Sequence, residues 1–377
     1  MTFSKLFGRL SAALAGALSI LFMSAAQAEY ELNMPRGVTP ISRDLYDLHM
    51  IVLWVCVVIG VLVFGAMAWS IIFHRKSRGA VAAQFHESTM VEIFWTIGPL
   101  LILIAIAVPA TITLIDLEDA KTNADINLEV TGIQWKWKYN YIDEDVQIIS
   151  TLAQSSRDVV KDPTGNENYL LEVDNPVVLP INKKIRFLFH SSDVIHAWWV
   201  PDFGVKQDVI PGFINDSWAI IEQTGTYRGQ CAELCGKDHG FMPIVVEAVT
   251  QNEYEQWLAG KKAEAAEMAA AASEEWSMQD LLAQGETVYK ANCAVCHGAT
   301  GAGIPGAFPA MTNSPIATGD AAEHMNVVMN GLSGTAMAAY KSQLNDVDLA
   351  AVITFERNSL GNSVGDMVQP SAIKNAR

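Results

Sequence analysis

Two long stretches of the chain lack charged side chains, and they constrain its fold more than any other feature. They cover residues 50–73 and 93–115. About 23 residues of helix, at about 1.5 Å per residue, reach about 34 Å, which is enough to cross a hydrocarbon core of roughly 30 Å. We therefore predict a transmembrane hairpin over residues 29–116, with helices at about 48–73 and 92–115.

The charges around the two helices predict their orientation. Four basic side chains lie between the helices, and acidic ones flank the hairpin on the outside. Positively charged loops stay in the cytoplasm, so both outer ends of the hairpin face the exported side. Everything after residue 116 is then outside the cytoplasm. The basic residues are His74, Arg75, Lys76 and Arg78, and the acidic ones are Asp44, Asp47, Asp116, Glu118 and Asp119.

Residues 1–28 have the pattern of a secretory signal peptide. Lys5 and Arg9 precede an apolar stretch at residues 10–23, and Ala-Gln-Ala at 26–28 is typical of a cleavage site. A membrane anchor that is never removed is the alternative. Export also fits the net charge of −16, which disfavours nucleic acid and suits a basic protein partner, although solubility alone explains it equally well.

Three further segments follow the hairpin. Residues 117–250 contain short runs rich in β-branched and aromatic residues, which predict an antiparallel sandwich or barrel. Residues 251–276 are rich in Ala, Glu and Lys and predict a helical, solvated linker. Residues 277–362 form a third domain with short helical patterns, and residues 363–377 are predicted to be a C-terminal tail.

The motif CAVCH carries the most specific local chemistry. Cys293 and Cys296 can add to the two vinyl groups of a haem, and His297 can then ligate the iron. A redox dithiol or half of a zinc site are alternatives, which the exported location and the adjacent histidine disfavour. For the sixth iron ligand, Met337 in a late Gly-x-x-Met loop is favoured, with Met311 second. Met325 and Met329 are further candidates.

A second cluster lies in the stretch GQCAELCGKDHGFM. Cys231, Cys235 and His239 are four residues apart, and Met242 follows three later. Thiolates, imidazole and thioether together are the ligands of copper electron-transfer sites. Two cysteines make a two-copper site possible, and such a site needs a second histidine, for which His196 is the candidate. A disulfide between residues four apart would close a very small ring.

With these motifs in place, the chain resembles subunit II of haem-copper cytochrome c oxidases that carry a fused cytochrome c domain. The resemblance lies in VEIFWTIGP, GIQWKWKYNY, LLEVDNPVVLP, DVIHAWWVPDFGVKQDVIPG, YRGQCAELCGKDHGFMPIVVE and CAVCH, which span nearly the whole mature chain in the family's order. It implies a multi-domain fold: a two-helix transmembrane hairpin, an all-β cupredoxin Greek-key barrel and a small all-α class I cytochrome c domain.

The resemblance also implies residue roles. The dinuclear CuA centre would be held by the cluster above with the main-chain carbonyl of Glu233, whose side chain would reach a magnesium ion at subunit I. Trp135 would be the entry point for electrons, and Glu92 would lie near the mouth of a proton channel. Lys136 replaces the aromatic residue usual between the two tryptophans, and Ser192 an acidic one, which weakens docking of an external cytochrome. The CuA ligands would thus be His196, Cys231, Glu233, Cys235, His239 and Met242.

For function, the resemblance implies electron flow from the covalent haem c, through CuA, to the haem and CuB of subunit I, where oxygen is reduced to water with proton translocation. The partners would be subunits I and III, with soluble cytochrome c or an upstream complex as donor. The location would be a bacterial inner membrane, with both soluble domains on the periplasmic side.

Three other functions are alternatives to this one. A nitrous oxide reductase needs a histidine-rich cluster, whereas the eight histidines here are scattered. Subunit II of a quinol oxidase lacks the copper ligands that this chain has. A membrane-tethered shuttle or copper-delivery protein would need no catalytic subunit.

Overall fold

The computed structural model describes residues 33–377, apart from residues 82, 83, 85 and 163. The predicted signal peptide, residues 1–28, lies outside the described residues. The chain divides into two compact units, one of residues up to 118 together with 201–205, and one of residues 119–200 and 206–377.

Two long helices dominate the first unit. Helix α1 spans Pro40–Phe73 and α2 spans Thr89–Glu118, and both are apolar and long enough to cross a membrane. Helix α1 begins at Pro40 rather than near residue 48, because the Thr39 hydroxyl accepts a hydrogen bond from the Ser42 amide and caps the first turn. A short 3-10 turn, Lys76–Arg78, lies in the basic connection between the helices.

The second unit begins with a ten-stranded β domain. Its sheets have the orders β3-β2-β1-β5-β8 and β4-β10-β9-β6-β7. The strands are β1 Ile126–Ile133, β2 Lys136–Tyr141, β3 Val146–Ser150, β4 Val177–Pro180, β5 Lys184–Ser191, β6 His196–Val200, β7 Val205–Val209, β8 Asn215–Ile220, β9 Gly225–Cys231 and β10 Pro243–Val249, with a short helix α3, Gln154–Asp158, after β3.

The pairing of these strands is mixed rather than wholly antiparallel as predicted. Strand β1 runs parallel to β5, and β10 runs parallel to β4, while the other pairs that define the register are antiparallel. Short alternating runs are typical of both kinds of pairing, so the sequence pattern does not separate them. Aromatic side chains fill the space between the sheets, including Trp137, Tyr139, Phe187 and Trp198, each fully buried.

Helix α4, Gln251–Ala271, follows the last strand and corresponds to the predicted helical linker. One side of its first turns is buried at Tyr254 and Leu258, while the other side is exposed to solvent as predicted. The Trp257 ring lies 5.1 Å from that of Tyr141 on β2, and Lys262 pairs with Glu144 at 2.7 Å. The start of the linker is therefore held on the β domain.

The remaining helices form the third domain. They are α5 Met278–Asn292, α6 Ala294–His297, α7 Pro315–Thr318, α8 Ala321–Asn330, α9 Asp346–Asn358 and α10 Pro370–Ala376. Helices α5 and α9 approach closely at Gly285, where an added Cβ would lie 2.2 Å from the Ala351 carbonyl oxygen. The predicted tail contributes Val368 and Ile373 to the core of this domain, so it is part of the folded unit.

Candidate copper and haem sites

The stretch from Cys231 to Met242 connects two neighbouring strands of the second sheet. Strand β9 ends at Cys231, a 3-10 turn covers His239–Phe241, and β10 begins at Pro243. Cys231 Sγ and Cys235 Sγ lie 3.8 Å apart, and Cys235 Sγ lies 3.5 Å from both His239 Nδ1 and Met242 Sδ. A disulfide needs about 2.05 Å between its sulfurs, so the two thiols are free.

His196, at the start of β6, joins this cluster from a separate part of the chain. Strand β6 pairs with β9 so that Trp198 lies opposite Cys231, which brings His196 Nδ1 to 3.9 Å from Cys231 Sγ. The His196 side chain is fully buried, and its Nε2 lies 3.0 Å from Asp193 Oδ1. The carboxylate accepts a hydrogen bond from Nε2–H, so the proton is on Nε2 and the lone pair of Nδ1 is directed at the sulfurs.

Asp193 therefore supports the site, although the sequence analysis assigned it no role. It also accepts a hydrogen bond of 2.7 Å from the Gln134 amide. Burial alone would lower the pKa of His196, but the Asp193 carboxylate and the Cys231 sulfur raise it instead. An acidic residue three positions before a candidate ligand is the signal that could have indicated this role.

The donor set fits copper. Hydrogen bonding between the two thiols holds the pKa of Cys231 below the ordinary value and raises that of Cys235. The carbonyl oxygen of Glu233 lies 3.3 Å from Cys231 Sγ, within reach of the same centre. Soft sulfur donors combined with imidazoles select copper over hard cations such as magnesium or calcium.

Gly132 on β1 is a second supporting residue that the sequence analysis missed. A Cβ at this position would lie 2.7 Å from Cδ2 of His196. Only glycine therefore leaves space for the imidazole behind the two cysteines. A glycine within a strand rich in β-branched residues often marks such a close approach, and this was the available signal.

The side chain of Trp135 connects to the cysteine loop. Its Nε1 donates a hydrogen bond of 3.2 Å to the Cys235 carbonyl, which also accepts one of 2.8 Å from Gln134 Nε2. Trp137, two residues on, is buried and donates to the Met242 carbonyl at 3.1 Å. The predicted electron-entry residue is thus hydrogen-bonded to the backbone of a candidate copper ligand.

The CAVCH motif forms a single helical turn in the third domain. The Cys293 carbonyl accepts hydrogen bonds from the amides of Cys296 at 3.1 Å and His297 at 2.9 Å. His297 Nδ1 lies 2.9 Å from the Pro309 carbonyl oxygen. A carbonyl can only accept, so Nδ1 carries the proton and Nε2 keeps its lone pair for a metal.

A cavity of about 300 Å³ opens beside this turn, and its lining fits a haem. Cys293, Cys296 and His297 line it, mostly among apolar side chains. His324 also lines it, with Nε2 2.9 Å from Glu356 Oε2 and a buried Nδ1 that has no partner among the described residues. An orphaned buried donor or acceptor is expected where a group with polar substituents binds.

The four candidate methionines lie in different places in the structure. Met311 and Met337 line the cavity, whereas Met329 belongs to the core of the domain and Met325 packs against that core. Met311 lies on the loop of Pro309, which holds His297, while Met337 comes from a separate loop. Glu92 lies in the first turn of α2, exposed, and its role stays a prediction.

Comparison with known proteins agrees with this arrangement. Residues 27–112 match the family "Cytochrome C oxidase subunit II, transmembrane domain", and residues 126–249 match "Cytochrome C oxidase subunit II, periplasmic domain". Residues 280–355 match "Cytochrome C oxidase, cbb3-type, subunit III". The fold and sites thus define a membrane-anchored electron-transport protein with a cupredoxin-like copper domain and a cytochrome c domain.

Individual relatives identify the family. The chain is 36% identical over 251 residues to the "Probable cytochrome c oxidase subunit 2" of Rickettsia bellii, which covers 66% of this chain and 91% of that protein. It is 35% identical over 247 residues to the mitochondrial subunit 2 of Vigna unguiculata, with 65% and 66% covered. The crystal structure of the periplasmic domain of subunit II (CoxB) of Bradyrhizobium japonicum shares 44% identity at a TM-score of 0.33, covering 37% of this chain and 96% of that one. The match to the Rickettsia bellii protein, 91% of which is covered, shows that the chain belongs to the cytochrome c oxidase subunit II family.

Membership in this family confirms several predictions. The fold class, the CuA copper domain, the haem c domain and the location in a membrane agree with the matches. The individual ligands, the dinuclear state of the copper and the magnesium ion stay predictions.

Proposed function

We propose that this chain is the electron-entry subunit of a terminal oxidase. Electrons would enter at the haem c domain, leave through the CuA domain and reach subunit I, where oxygen is reduced to water with proton translocation. One observation carries the route: Trp135, bonded to the Cys235 carbonyl, lines the same cavity of about 580 Å³ as Cys296 and Met337. The candidate haem and copper sites therefore share a boundary.

At the copper site, the proposed ligands have distinct tasks. A copper pair bound there would accept and pass on one electron at a time. Cys231 and Cys235 would hold it through their sulfurs. The contact between the two thiols lowers the pKa of Cys231 and raises that of Cys235, so Cys235 would release its proton when metal binds. Asp193 and Gly132 hold the His196 ring in place, and Trp137 fixes the backbone of Met242. The remaining ligands would be His239 and the Glu233 carbonyl.

Burial of these side chains supports the same role. Cys231, Cys235, His196 and Met242 are each at most 5% exposed. The β domain therefore keeps water away from the ligands and holds their geometry, so that little has to move when charge changes. His239 is less buried and marks the more exposed side of the site.

At the haem site, the chain would hold the group by two thioether bonds to Cys293 and Cys296 and by His297. A haem held there would supply reversible one-electron chemistry. The Pro309 carbonyl orients His297, since it binds Nδ1 and leaves Nε2 for the iron. Met311 shares the loop whose Pro309 carbonyl contacts His297, whereas Met337 lines the cavity from a separate loop. We therefore assign Met337 as the second side chain that would hold the iron.

The surroundings of Glu233 support a partner subunit. Its side chain is exposed, and the adjacent Leu234 is 80% exposed. We propose that this exposed loop contacts subunit I. The magnesium site at Glu233, the proton channel near Glu92 and an association with subunit III belong to the same proposal, as does a place in a bacterial inner membrane with both soluble domains periplasmic.

Purification of the full chain from its native membrane tests this proposal. We expect three coppers for each covalent haem in the purified complex, two at this site and one at the CuB of a large haem-containing membrane subunit. Elemental analysis and a pyridine haemochrome assay give the ratio, and gel electrophoresis identifies the partner. Two coppers per covalent haem would contradict a dinuclear centre, and a chain that purifies without a partner would contradict its role as a subunit.

A further inference from the structure

Lys136 is a charged side chain in an unexpected place. It is the first residue of β2, it lies between Trp135 and Trp137, and only 6% of it is exposed. Burying an ammonium group is unfavourable unless other groups replace its hydration. The groups that contact the ammonium nitrogen of Lys136 therefore indicate its role.

Its partners come from the cytochrome c domain. Lys136 Nζ donates a hydrogen bond of 3.1 Å to Asn292 Oδ1 and lies 5.1 Å from the centre of the Tyr340 ring. The Tyr340 hydroxyl in turn donates to the Asn292 carbonyl at 3.0 Å. Asn292 is the last residue of α5, directly before Cys293. Lys136 therefore contacts the turn to which the haem is attached.

A second contact joins the same two domains. Gln147 Nε2 on β3 donates to the Ser342 carbonyl at 3.0 Å. This hydrogen bond is exposed, and exposed hydrogen bonds between neutral groups contribute little free energy to domain docking. A charge-assisted hydrogen bond combined with a cation–π contact in a buried place contributes more. Lys136 is therefore the main polar link between β2 and the haem-attachment turn.

The ammonium form suits these contacts. Burial lowers the pKa of Lys136 to about 8, which still leaves the side chain mainly protonated at neutral pH. The position of the cytochrome c domain then depends on a charge placed one residue from Trp135. The linker supports the arrangement, because Tyr254 and Trp257 pack the start of α4 against Tyr141.

We infer that Lys136 is a positioning residue that docks the cytochrome c domain on the copper domain, with the haem-attachment turn facing Trp135. The inference rests on the proposed electron route. The side chain would then serve the tethered electron donor. Loss of Lys136 would let the cytochrome c domain leave this position without changing either cofactor site.

The test uses the full-length chain loaded with copper and haem. Lys136→Met keeps the length of the side chain but removes the charge, and Lys138→Met is the matched control, since Lys138 is half-buried on the same face of β2. After pulsed reduction of the haem, we expect electron transfer to copper to slow on the order of tenfold in K136M, from loss of a hydrogen bond and a cation–π contact. We expect no change in K138M.

Hydrogen exchange provides a readout that does not depend on electron transfer. Amides in residues 335–344 should exchange faster in K136M than in the parent chain, while the absorption spectra of both cofactors stay unchanged. Asn292→Ala removes the same hydrogen bond from the other side, so the double variant should be little slower than either single one. It also serves as the test if K136M does not assemble.

The outcomes separate the two proposals. If the parent chain transfers no electrons from haem to copper, the proposed route is wrong. If the parent chain transfers electrons but K136M and N292A match it in both rate and exchange, the docking role of Lys136 is wrong. A tenfold loss in K138M as well would show a general effect of charge rather than a specific contact.

Discussion

Cys231→Ser is expected to stop oxygen consumption by the assembled complex almost completely, by at least about a hundredfold, since even residues outside the direct ligand set change metal affinity or activity by 10–100-fold. Cys231 Sγ lies within 3.9 Å of Cys235 Sγ and His196 Nδ1, so it occupies the centre of the candidate site. A serine hydroxyl stays protonated and is a hard donor, so it cannot replace a thiolate as a copper ligand. The haem of the variant should still be reduced by ascorbate.

Cys56→Ser is the matched control for this variant. Cys56 is exposed in α1, within the membrane-spanning part, and belongs to neither candidate site. Its substitution should leave oxygen consumption and copper content unchanged. An oxygen electrode and elemental analysis measure both quantities. Full activity in the Cys231 variant would remove this cysteine from the electron route.

Met337→Ala is expected to convert the haem c from a low-spin, six-coordinate state towards high spin. The side chain lines the cavity from a loop separate from the one that holds His297, so its loss would leave one axial position without a protein ligand. Methionine ligation also raises the potential of a c-type haem, so the midpoint potential should fall. Visible absorption and a redox titration measure these changes.

Two further variants make this result specific. Met311→Ala changes the other methionine that lines the cavity and should leave the spin state unchanged. Met367→Ala alters an exposed methionine of the same domain, which does not line that cavity, and controls for general destabilisation. If Met337→Ala has the parent spectrum and Met311→Ala is high spin, the sixth ligand is Met311.

Much of the candidate copper site could be predicted because its candidate ligands form a compact motif. Cys231, Cys235, His239 and Met242 lie within one loop, and their spacing indicates a metal site without knowledge of the fold. His196 could be added because a copper pair needs a second histidine. The structure then places His196 Nδ1 3.9 Å from Cys231 Sγ.

The supporting residues could not be predicted in the same way. Gly132 acts through the space it leaves for His196, which exists only once β1 lies against β6. Asp193 acts through one hydrogen bond whose direction depends on the turn before β6. Gly132 and Asp193 are not candidate copper ligands, so a search of the sequence for ligands does not select them.

The contacts of Lys136 show most clearly what could not be predicted from the sequence. In the sequence, its position between two tryptophans gives no indication of a partner elsewhere in the chain. Its partners, Asn292 and Tyr340, are more than 150 residues away along the chain. Only the packed arrangement of the two domains shows that the ammonium group is buried, and by what. Long-range contacts of this kind leave no periodic pattern in a single sequence.

Pulsed reduction of the haem in the isolated full-length chain, without subunit I, tests the central claim most directly. We expect the absorbance of the haem to return to its oxidised level as the copper centre becomes reduced, with one first-order rate constant at all protein concentrations. That result would show transfer within one chain. A rate that rises in proportion to protein concentration, or a haem that stays reduced beside oxidised copper, would contradict the proposed route.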